Sequence, residues 1–563
     1  MSAGDFDAIV VGSGAGGATA ALRLTQAGLK VLMLEAGRPY DPVTETPMFN
    51  QHIDAPLGNI PTEDRNPRFY DAIIGGIDLA DEPYTNAEGS HVKWLRTRML
   101  GGRTNAWWAY VPRYGPYDFQ GASRDGHGVD WPVSYDDIAP SYDEIERLMG
   151  VYGTTDSYEN EPSSPPGILQ PPPPLRAYEL FAKAGFENLG IPVATTRAAV
   201  LTQPKGDRNA CFYASHCRRG CSIGAKFQTT TSFLPEALKT GNLTIQTHAR
   251  VAEVTLGPDG RADGVRYVDT RTGSFGVAKA RSVVLAASSY ETARLLLASK
   301  SDQFPNGLAN RSGQVGRNIA NTLNFQIRAY FPVLDGRPQY NEDGTSLPHM
   351  VVPWFGHKDQ AEGRLDFPRG YHIQVFGDRV GAPGIKTGPN IASREYGYGR
   401  ELKSSARRRY GSYIDFEMFG EMIPNDDTYM ELDPVVVDKW GLAVPRFHWR
   451  IGDTERHLIQ HAKHTMLDVI ERLGGVSAPI EEKDGELGEG ATGVHETGAA
   501  RMGFTGEDSV VNAHSQSWDV DNLVLADGSV FASHAHKNPT LTIMALALRA
   551  ADALVVRLKS NQI

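Results

Sequence analysis

The sequence is poor in cysteine, in long apolar runs and in positive charge, and each shortage excludes a class of protein. Only three of the 563 residues are cysteine, too few for a disulfide framework in a chain of this size. No uninterrupted apolar run approaches the roughly 20 residues that cross a bilayer as a helix. The formal net charge is -11, which disfavours non-specific binding to nucleic acid or to anionic lipid.

The remaining composition is that of a large globular protein. Hydrophobic residues make up 40% of the chain and charged residues 22%. A chain of 563 residues exceeds what one hydrophobic core usually supports, so we expect at least two intertwined domains. The opening segment, MSAGDFDAIVVG, has neither a basic region nor a cleavage site, so we expect no export signal in the chain itself.

The N-terminal segment has the pattern of a dinucleotide-binding β-α-β unit. A short strand at 8–11 leads through a glycine-rich turn into a helical segment that stops at Gly28, and a second strand at 31–34 ends on an acid. Glycines let backbone N–H groups approach a pyrophosphate, and an acid about 20 residues on accepts the ribose hydroxyls. The pattern predicts a dinucleotide without separating NAD from FAD. The predicted cofactor-binding residues of this unit are Gly12, Gly14, Gly17 and Glu35.

A second glycine-rich segment, RMLGGRTNAWWAY, follows an irregular stretch at about 40–95. Its paired glycines would let the backbone press close to another group, and its two tryptophans would supply flat walls. A core turn with two packed tryptophans is the alternative. Further on, the proline-rich residues 161–175 predict an extended connector between units.

The middle of the chain reads as strands. Residues 243–287 contain three strand-like segments that run into a helical segment, YETARLLLASK. Residues 325–450 alternate apolar and polar side chains in many short segments. This pattern predicts a large, mostly antiparallel sheet with one face on a core and the other open to a ligand.

The C-terminal region holds two further candidate residues. His495 lies in GVHETGAARMG, and Asn538 precedes Pro539 at the start of a long helical run. A satisfied core histidine and an ordinary helix N-cap are the alternatives for these two residues. The segment DNLVLADGSVF predicts a buried strand ending in an acidic turn, where Asp527 would meet a polar ligand.

The three cysteines are Cys211, Cys217 and Cys221, spaced C-x5-C-x3-C. Three interpretations are open: buried structural thiols, a zinc site completed by His216, or a disulfide with a spare thiol. The x3 step suits a zinc site and the x5 step suits it less. Because thiolates bind zinc and iron-sulfur clusters equally well, the spacing alone does not choose between these metal centres.

Taken in order, these segments, with SSYETARLLLAS (288–299) and GQVGRNI (313–319), resemble the glucose-methanol-choline oxidoreductases along nearly the whole chain. The resemblance implies a Rossmann-like FAD-binding domain interleaved with a substrate-binding domain on a large, mostly antiparallel β-sheet, an α/β plus antiparallel fold. The discontinuous FAD-binding domain would comprise 1–160, 225–325 and 485–563. A connector and iron-sulfur segment would span 165–224, and the substrate-binding domain 326–484.

The resemblance also implies roles for single residues. His495 matches the family's catalytic histidine and Asn538 the second member of its catalytic pair; His534 and His536 are rivals for that second role, but the spacing to MALAL favours Asn538. Oxidation of an alcohol needs a base that takes the hydroxyl proton while hydride leaves for the flavin, and a histidine suits that task. The remaining expected FAD-binding residues are Gly101, Gly102, Asn105, Asp527 and Thr540. Some relatives bind flavin covalently through a histidine where this chain has Ala106, so we expect non-covalent FAD.

One branch of the family, the bacterial FAD-dependent sugar dehydrogenase catalytic subunits, has this cysteine spacing around a 3Fe-4S cluster. Cys211, Cys217 and Cys221 match its ligands, with Arg218 and Arg219 beside them to raise the cluster potential. The resemblance implies a dehydrogenase with an external acceptor, a small chaperone-like subunit that carries the export signal, and a cytochrome c. The location would be periplasmic or membrane-associated through these subunits, and a cytoplasmic location also fits the sequence.

The substrate expected from this resemblance is a sugar or glucoside, oxidised at C3 as in glucoside 3-dehydrogenases. Glucose or gluconate dehydrogenase is the first alternative. A sugar oxidase that makes hydrogen peroxide and carries a zinc or structural cysteine site is the second. A non-catalytic scaffold is disfavoured because His495 and Asn538 are both present.

Overall fold

The computed structural model describes residues 6–45, 81–213, 217, 220–337, 347–377, 399–409, 411–477 and 492–563. The strands are β1 Ala8–Val11, β2 Val31–Leu34, β3 Thr85–Asn86, β4 Lys93–Trp94, β5 Ala194–Thr195, β6 Leu243–Gln246, β7 Ala249–Leu256, β8 Ala262–Asp269, β9 Phe275–Lys279, β10 Ser282–Leu285, β11 Leu323–Tyr330, β12 Met350–Val352, β13 Tyr371–Gly377, β14 Tyr413–Gly420, β15 Tyr429–Val437, β16 Ala443–His448, β17 Val476–Ser477, β18 Thr492–Gly493 and β19 Leu523–Leu525. The helices are α1 Ala15–Gln26, α2 Pro42–Glu45, α3 Gly121–Asp125, α4 Tyr135–Met149, α5 Ala177–Asn188, α6 Phe233–Lys239, α7 Ser289–Ala298, α8 His357–Ala361, α9 Gly399–Arg409, α10 Asp453–Arg472 and α11 Thr540–Lys559.

A five-stranded sheet in the order β19-β10-β1-β2-β6 forms the first layer, and every neighbouring pair in it is parallel. The sequences AIVV, VLML and SVVL of three of its strands are buried throughout, as expected for a parallel sheet covered on both faces. Helix α1 packs against α11, which in turn packs against α4. The predicted N-terminal strands are confirmed, and α1 ends two residues before Gly28.

The strands of this sheet come from distant parts of the chain, so their carboxyl ends bring distant residues together. Gly12, Glu35, Ala286 and Ala526 each directly follow a strand, β1, β2, β10 and β19 respectively. In open parallel sheets, ligands bind beyond the carboxyl ends of the strands. The fold therefore places the predicted dinucleotide residues at the edge where a ligand is expected.

A six-stranded sheet in the order β17-β11-β14-β13-β12-β5 forms the second layer, and all its pairings are antiparallel. One face is apolar and includes Ile327, Ile373 and Phe416. Phe416 contacts Phe186 of α5, with ring centroids 6.1 Å apart, and α10 packs against β11 and β14. The alternating pattern at 325–450 thus forms the predicted antiparallel sheet with one face on a core.

Three smaller sheets complete the described structure: β7-β8-β9, β15-β16-β3 and β18-β4. The irregular stretch predicted at 40–95 lies partly outside the described residues. Its described parts are 40–45, which contains the one-turn helix α2, and 81–95, which contains only the two-residue strands β3 and β4. Within the described residues, the proline-rich 161–175 contains no helix or strand, as predicted. The interleaved α/β and antiparallel architecture is confirmed, and the proposed domain boundaries stay a prediction. None of the described helices is long and apolar enough to cross a membrane.

Candidate active site

The glycine-rich turn between β1 and α1 leaves bare backbone at the sheet edge. Gly12 has a φ of +99°, and a Cβ added there would lie 2.3 Å from the carbonyl oxygen of Ala286. A Cβ at Gly17 would lie 2.0 Å from the carbonyl oxygen of Gly12, so the helix start can approach the strand only as glycine. A Cβ at Gly14 would have no neighbour within 4 Å. Gly14 therefore faces open space, as a glycine against a phosphate would.

The carboxylate of Glu35 closes this turn. Its Oε2 accepts hydrogen bonds from Ser13 Oγ at 2.5 Å and from the Ser13 amide at 3.2 Å, and its Oε1 accepts the Gly37 amide at 2.8 Å. Burial raises the pKa of Glu35, although these donors oppose the shift. A carboxylate has roughly four acceptor positions, so about one is left for a ribose hydroxyl.

The second glycine segment packs on the first. The amide of Gly101, which has a φ of +92°, donates to Ser13 Oγ at 2.8 Å. A Cβ on Gly102 would lie 3.4 Å from Gly14 Cα. The two predicted glycine segments therefore form one continuous backbone surface around Ser13.

The other predicted cofactor-binding residues differ in what their side chains do. Asn105 is bound locally, because its Nδ2 donates to the Leu100 carbonyl at 2.8 Å and its Oδ1 accepts from Thr230 at 3.0 Å. Thr540 is the first residue of α11 and is partly exposed. Asp527 accepts from the Ser529 and Ser288 amides and from Thr292 Oγ1, at 2.9, 3.1 and 2.6 Å. Burial raises the pKa of Asp527, and this carboxylate holds the turns after β19 and β10 together.

His495 and Asn538 lie side by side at the end of this surface. Asn538 Nδ2 donates to His495 Nε2 at 3.0 Å, and both residues are partly exposed. Helix α11 begins at Thr540 with Pro539 as its N-cap and no side-chain capping bond. Asn538 is therefore not the ordinary N-cap considered from the sequence, and its side chain is directed to the histidine instead.

A chain of hydrogen bonds sets the tautomer of His495. Its Nδ1 lies 2.9 Å from Thr322 Oγ1, which lies 2.8 Å from His534 Nε2, and His534 Nδ1 lies 3.1 Å from Thr497 Oγ1. Because Asn538 donates to His495 Nε2, the proton of His495 sits on Nδ1 and is donated to Thr322. The Thr322 hydroxyl then donates to His534. His534, the rival for the second catalytic role, is thus connected to His495 through Thr322. The lone pair of His495 Nε2 points towards Asn538.

The imidazole of His495 is neutral near neutral pH. Burial, and secondarily the charge of Arg103, lowers its pKa well below the usual range. Burial likewise lowers the pKa of His534. Arg103 itself pairs with Glu496, Nη2 to Oε2, at 2.5 Å. A neutral imidazole with an unprotonated Nε2 is the form required of a general base.

Several buried polar atoms around this pair have no partner among the described residues. These are Asn538 Oδ1, His536 Nδ1, Asn321 Nδ2 and Glu496 Oε1. Buried polar atoms are hydrogen-bonded in the great majority of cases, so each is expected to meet a bound group or water. The unpaired atoms and the open space at Gly14 both fit a bound cofactor and substrate.

The polar face of the six-stranded sheet lies next to His495. His372 and Phe419 are paired across β13 and β14 and stack at 5.0 Å, and Phe419 lies 6.2 Å from His495 between ring centroids. The His372 ring also lies 5.8 Å from that of the second rival, His536. Gln374, next along this face, donates to His372 Nε2 at 3.0 Å. No local sequence pattern marks Thr322, His372 and Phe419 as site residues, because only the folded sheet brings them to His495.

The three cysteines are free thiols in one region of the structure. Cys217 and Cys221 are buried, and Cys211 is partly exposed. The amides of Tyr213 and Lys226 donate to the sulfurs of Cys211 and Cys221 at 3.3 and 3.4 Å. Within the described part of the chain, no group of three His, Cys, Asp or Glu side chains is close enough to hold a metal ion. His216, Arg218 and Arg219, named from the sequence, lie outside the described residues.

Two buried cations lie beside these thiols. Lys226 Nζ donates to the carbonyls of Cys217, Asn105 and Trp107 at 2.6, 2.8 and 3.3 Å, and it has no carboxylate partner among the described residues. Arg208 donates to the carbonyls of Gly224 and Met149, both at 2.8 Å, and it too has no carboxylate partner in the described part of the chain.

Burial lowers the pKa of Lys226 to about 8 and that of Arg208 to about 10, while the cysteines act in the opposite direction. Burial, followed by the neighbouring cysteine charges, also raises the pKa of the Cys211 thiol to about 12. A buried cation normally requires an anion, and the cysteine sulfurs are candidates for it only when they are deprotonated.

Comparison with known proteins identifies the class of protein that this fold and site define. GMC oxidoreductase family profiles match residues 6–323 and 424–547. The chain belongs to the GMC oxidoreductase family and is therefore an FAD-dependent oxidoreductase of alcohol or sugar CH–OH groups.

Several relatives match nearly the whole chain, and three of them are as follows. It is 32% identical to 2-methyl-1,2-propanediol dehydrogenase of Mycolicibacterium austroafricanum, over 98% of this chain and 95% of the relative. It is 27% identical to the fructose dehydrogenase large subunit of Gluconobacter japonicus, over 99% and 98%. It is 28% identical to paromamine 6'-oxidase of Streptomyces fradiae, over 99% and 92%. Among solved structures, formate oxidase of Aspergillus oryzae shares the fold, with a TM-score of 0.65, 15% identity and all of both chains covered.

Proposed function

We propose that this chain is a dehydrogenase that oxidises a hydroxyl of a sugar or glucoside, at C3 of glucose or a glucoside, to the keto product. The observation that carries the proposal is the His495–Asn538 pair, in which a neutral Nε2 faces an amide at 3.0 Å. The electrons pass to an external acceptor such as cytochrome c. The diol and fructose relatives described above are both named dehydrogenases, which supports an acceptor other than oxygen.

The residues of the pair have complementary roles. The substrate hydroxyl would replace the direct Asn538–His495 hydrogen bond, giving its proton to His495 Nε2 and accepting a hydrogen bond from Asn538 Nδ2. Thr322 accepts a hydrogen bond from His495 Nδ1 and so keeps the single ring N–H proton of the neutral imidazole on that nitrogen. When bound, FAD supplies the acceptor for the hydride that leaves the carbinol carbon.

Non-covalent attachment of the FAD is part of the proposal. The chain has Ala106 where some relatives have a histidine that bonds to the flavin. Ala106 follows the 3-10 helix Gly102–Asn105, and its methyl group offers no nucleophile. The cofactor would be held without a covalent bond, by the glycine surface, Glu35 and the other predicted FAD-binding residues.

The polar face of the six-stranded sheet suits a polyhydroxylated substrate. Gln374 and Glu417 are paired across β13 and β14, and Asn324 on β11 donates to Glu417 at 2.8 Å. At the next position along this face, Phe376 contacts Trp108, with ring centroids 4.8 Å apart. Amide, carboxylate and aromatic groups together provide hydrogen bonds and stacking for a sugar ring.

A small vicinal diol is a second candidate substrate. The diol dehydrogenase of Mycolicibacterium is 32% identical, a higher identity than that of the sugar dehydrogenase and oxidase relatives described above. A glucose or gluconate dehydrogenase activity, or a peroxide-producing sugar oxidase with a zinc or structural cysteine site, remains an alternative. The paromamine oxidase relative favours the last of these.

We further propose that Cys211, Cys217 and Cys221 hold a 3Fe-4S cluster, which would supply one-electron transfer towards the acceptor. The support is electrostatic: Lys226 and Arg208 are buried without a carboxylate among the described residues, and an anionic sulfur centre would balance them. Metal binding also displaces thiol protons, so Cys211 would bind as a thiolate despite the raised pKa of its free thiol. A zinc site with the same three thiolates would carry less net negative charge, so it would balance the positive charges of Lys226 and Arg208 less well.

The proposed partners are a small chaperone-like subunit and a cytochrome c. The fructose dehydrogenase relative is named a large subunit, which supports a multi-subunit assembly. The proposed location is periplasmic or membrane-associated through these partners.

The testing experiment is an anaerobic titration of the purified protein with methyl glucoside, glucose, gluconate and 2-methyl-1,2-propanediol. Bleaching of the flavin by a glucoside, with a 3-keto product, supports the proposal. If only the diol bleaches the flavin, the substrate is a diol and not a sugar. If peroxide forms in air at the rate of sugar oxidation, the enzyme is an oxidase and not a dehydrogenase. Iron and zinc contents of the same sample test the cluster separately.

A further inference from the structure

The segment 533–538, SHAHKN, presents alternate side chains to opposite sides. The even-numbered residues face the catalytic pair: His534 binds Thr322, the His536 ring approaches His372, and Asn538 binds His495. The odd-numbered residues face the segments 114–131 and 160–161. The two sets of residues therefore contact different parts of the protein, although the backbone bends at 532–533 and 536–537.

The odd-numbered residues anchor the segment at three successive points, two through side chains and one through a backbone amide. Ser533 Oγ accepts a hydrogen bond from Trp131 Nε1 at 2.8 Å, and the Ala535 amide donates to Tyr114 Oη at 3.4 Å. Lys537 makes the third anchor and is 1% exposed. Its Nζ donates to Asp118 Oδ2 at 2.8 Å, to the Asn160 carbonyl at 2.6 Å and to Glu161 Oε1 at 3.3 Å.

The Lys537 anchor is itself rigidly supported. Asp118 also accepts the Gly115 amide at 2.7 Å and Asn160 Nδ2 at 2.9 Å. Burial alone would lower the pKa of Lys537, but Asp118 and Glu161 outweigh it and raise the pKa, so the ammonium stays charged. All three donor protons of the ammonium are therefore used on one side of the segment, one residue before Asn538.

Apart from the hydrogen bond from its Nδ2 to His495, the Asn538 side chain has no restraint among the described residues. The helix that follows starts at Thr540 and takes no side-chain cap from it, and Asn538 Oδ1 has no partner among the described residues. The position of its amide relative to His495 therefore depends on the backbone that Lys537 fixes.

We propose that Lys537, paired with Asp118, is a positioning residue that holds the Asn538 amide in place for hydroxyl oxidation. This inference rests on the proposed function, in which Asn538 holds the substrate oxygen. A misplacement of about 1 Å can cost roughly 10²-fold in rate, which sets the scale of the expected effect.

The test is a double-mutant cycle on the holoenzyme with Lys537→Met and Asn538→Ala, read as the rate of anaerobic flavin reduction by the best substrate of the titration. We expect each single variant to lose roughly 10²-fold, and the double variant to be no more than a few-fold slower than Asn538→Ala, because both changes remove one interaction. A purely structural role for Lys537 predicts additive losses instead, and additivity overturns the inference.

Further variants keep the test decisive where Lys537→Met is unstable. Asp118→Asn removes the charge partner while keeping its shape, and we expect a smaller loss in the same direction. Arg176→Met breaks another buried pair, with Glu179 at 2.7 Å, and serves as the control for ion-pair loss away from the site; its rate should match the wild type. A wild-type rate in both Lys537→Met and Asp118→Asn overturns the positioning role of Lys537 and leaves the proposed function standing. A wild-type rate in Asn538→Ala overturns the proposed function as well.

Discussion

Replacement of Thr322 by valine tests the tautomer of His495 with little change of shape. The threonine hydroxyl accepts from His495 Nδ1 at 2.9 Å and donates to His534 Nε2 at 2.8 Å. Valine fills nearly the same volume but cannot accept the Nδ1 proton. His495 then loses the interaction that keeps its proton on Nδ1 and leaves Nε2 unprotonated.

The magnitude follows from the loss of one acceptor at a largely buried donor. An unsatisfied buried donor costs about 1–3 kcal/mol. At about 1.36 kcal/mol per tenfold change, the fraction of His495 in the base-competent tautomer, and with it the rate of flavin reduction, falls roughly 5- to 160-fold. Because the base-competent tautomer is still accessible, the activity is reduced and not abolished.

The assay is stopped-flow flavin reduction under anaerobic conditions, with FAD content and melting temperature measured on the same samples. Thr322→Ser keeps the hydroxyl and is the matched control, expected within a few-fold of the wild type. If Thr322→Val reduces its flavin as fast as the serine variant while both hold FAD, the hydrogen-bond chain does not set the tautomer and the assignment is wrong.

Three further predictions concern the cofactors and pH. Acid precipitation should leave the yellow FAD in the supernatant, because Ala106 cannot bond to it; colour in the pellet would show a covalent link elsewhere. The lowered pKa of His495 means that its neutral form is lost only as pH falls through that lowered value, so flavin reduction by a neutral sugar should show no acid limb near pKa 6.5; an apparent pKa at or above about 6.5 contradicts the geometry. Lys226→Met should reduce the iron content of the purified protein while the exposed control Lys239→Met leaves it unchanged, and equal iron in both would remove the electrostatic support for the cluster.

The sequence predicted the parts of the fold that depend on local pattern. The turn at Gly12 and Gly17 is encoded in neighbouring residues, because close backbone approach permits no side chain there. The strands β1, β2 and β10 are continuous apolar runs, and the alternation in NFQIRAYF and YHIQVFG predicts the antiparallel sheet. Each of these signals lies within a few residues of the feature that it predicts.

Contacts between distant segments were beyond sequence reasoning. Thr322 lies 173 positions from His495, and Lys537 lies 419 from Asp118. A threonine after a turn and a lysine before an asparagine carry no local signal of a relay or an anchor. The same holds for Lys226, whose lack of a carboxylate partner among the described residues emerges only when the strands and loops around it are assembled.

Flavin reduction in the His495→Ala variant tests the central claim most directly. The purified variant and the wild type are mixed anaerobically with the sugar or diol that bleaches the wild-type flavin, and absorbance is followed over time. The variant should contain FAD at the wild-type ratio but stay yellow, because it lacks the imidazole nitrogen to which the hydroxyl proton is assigned. A variant that bleaches at a rate close to that of the wild type would contradict it.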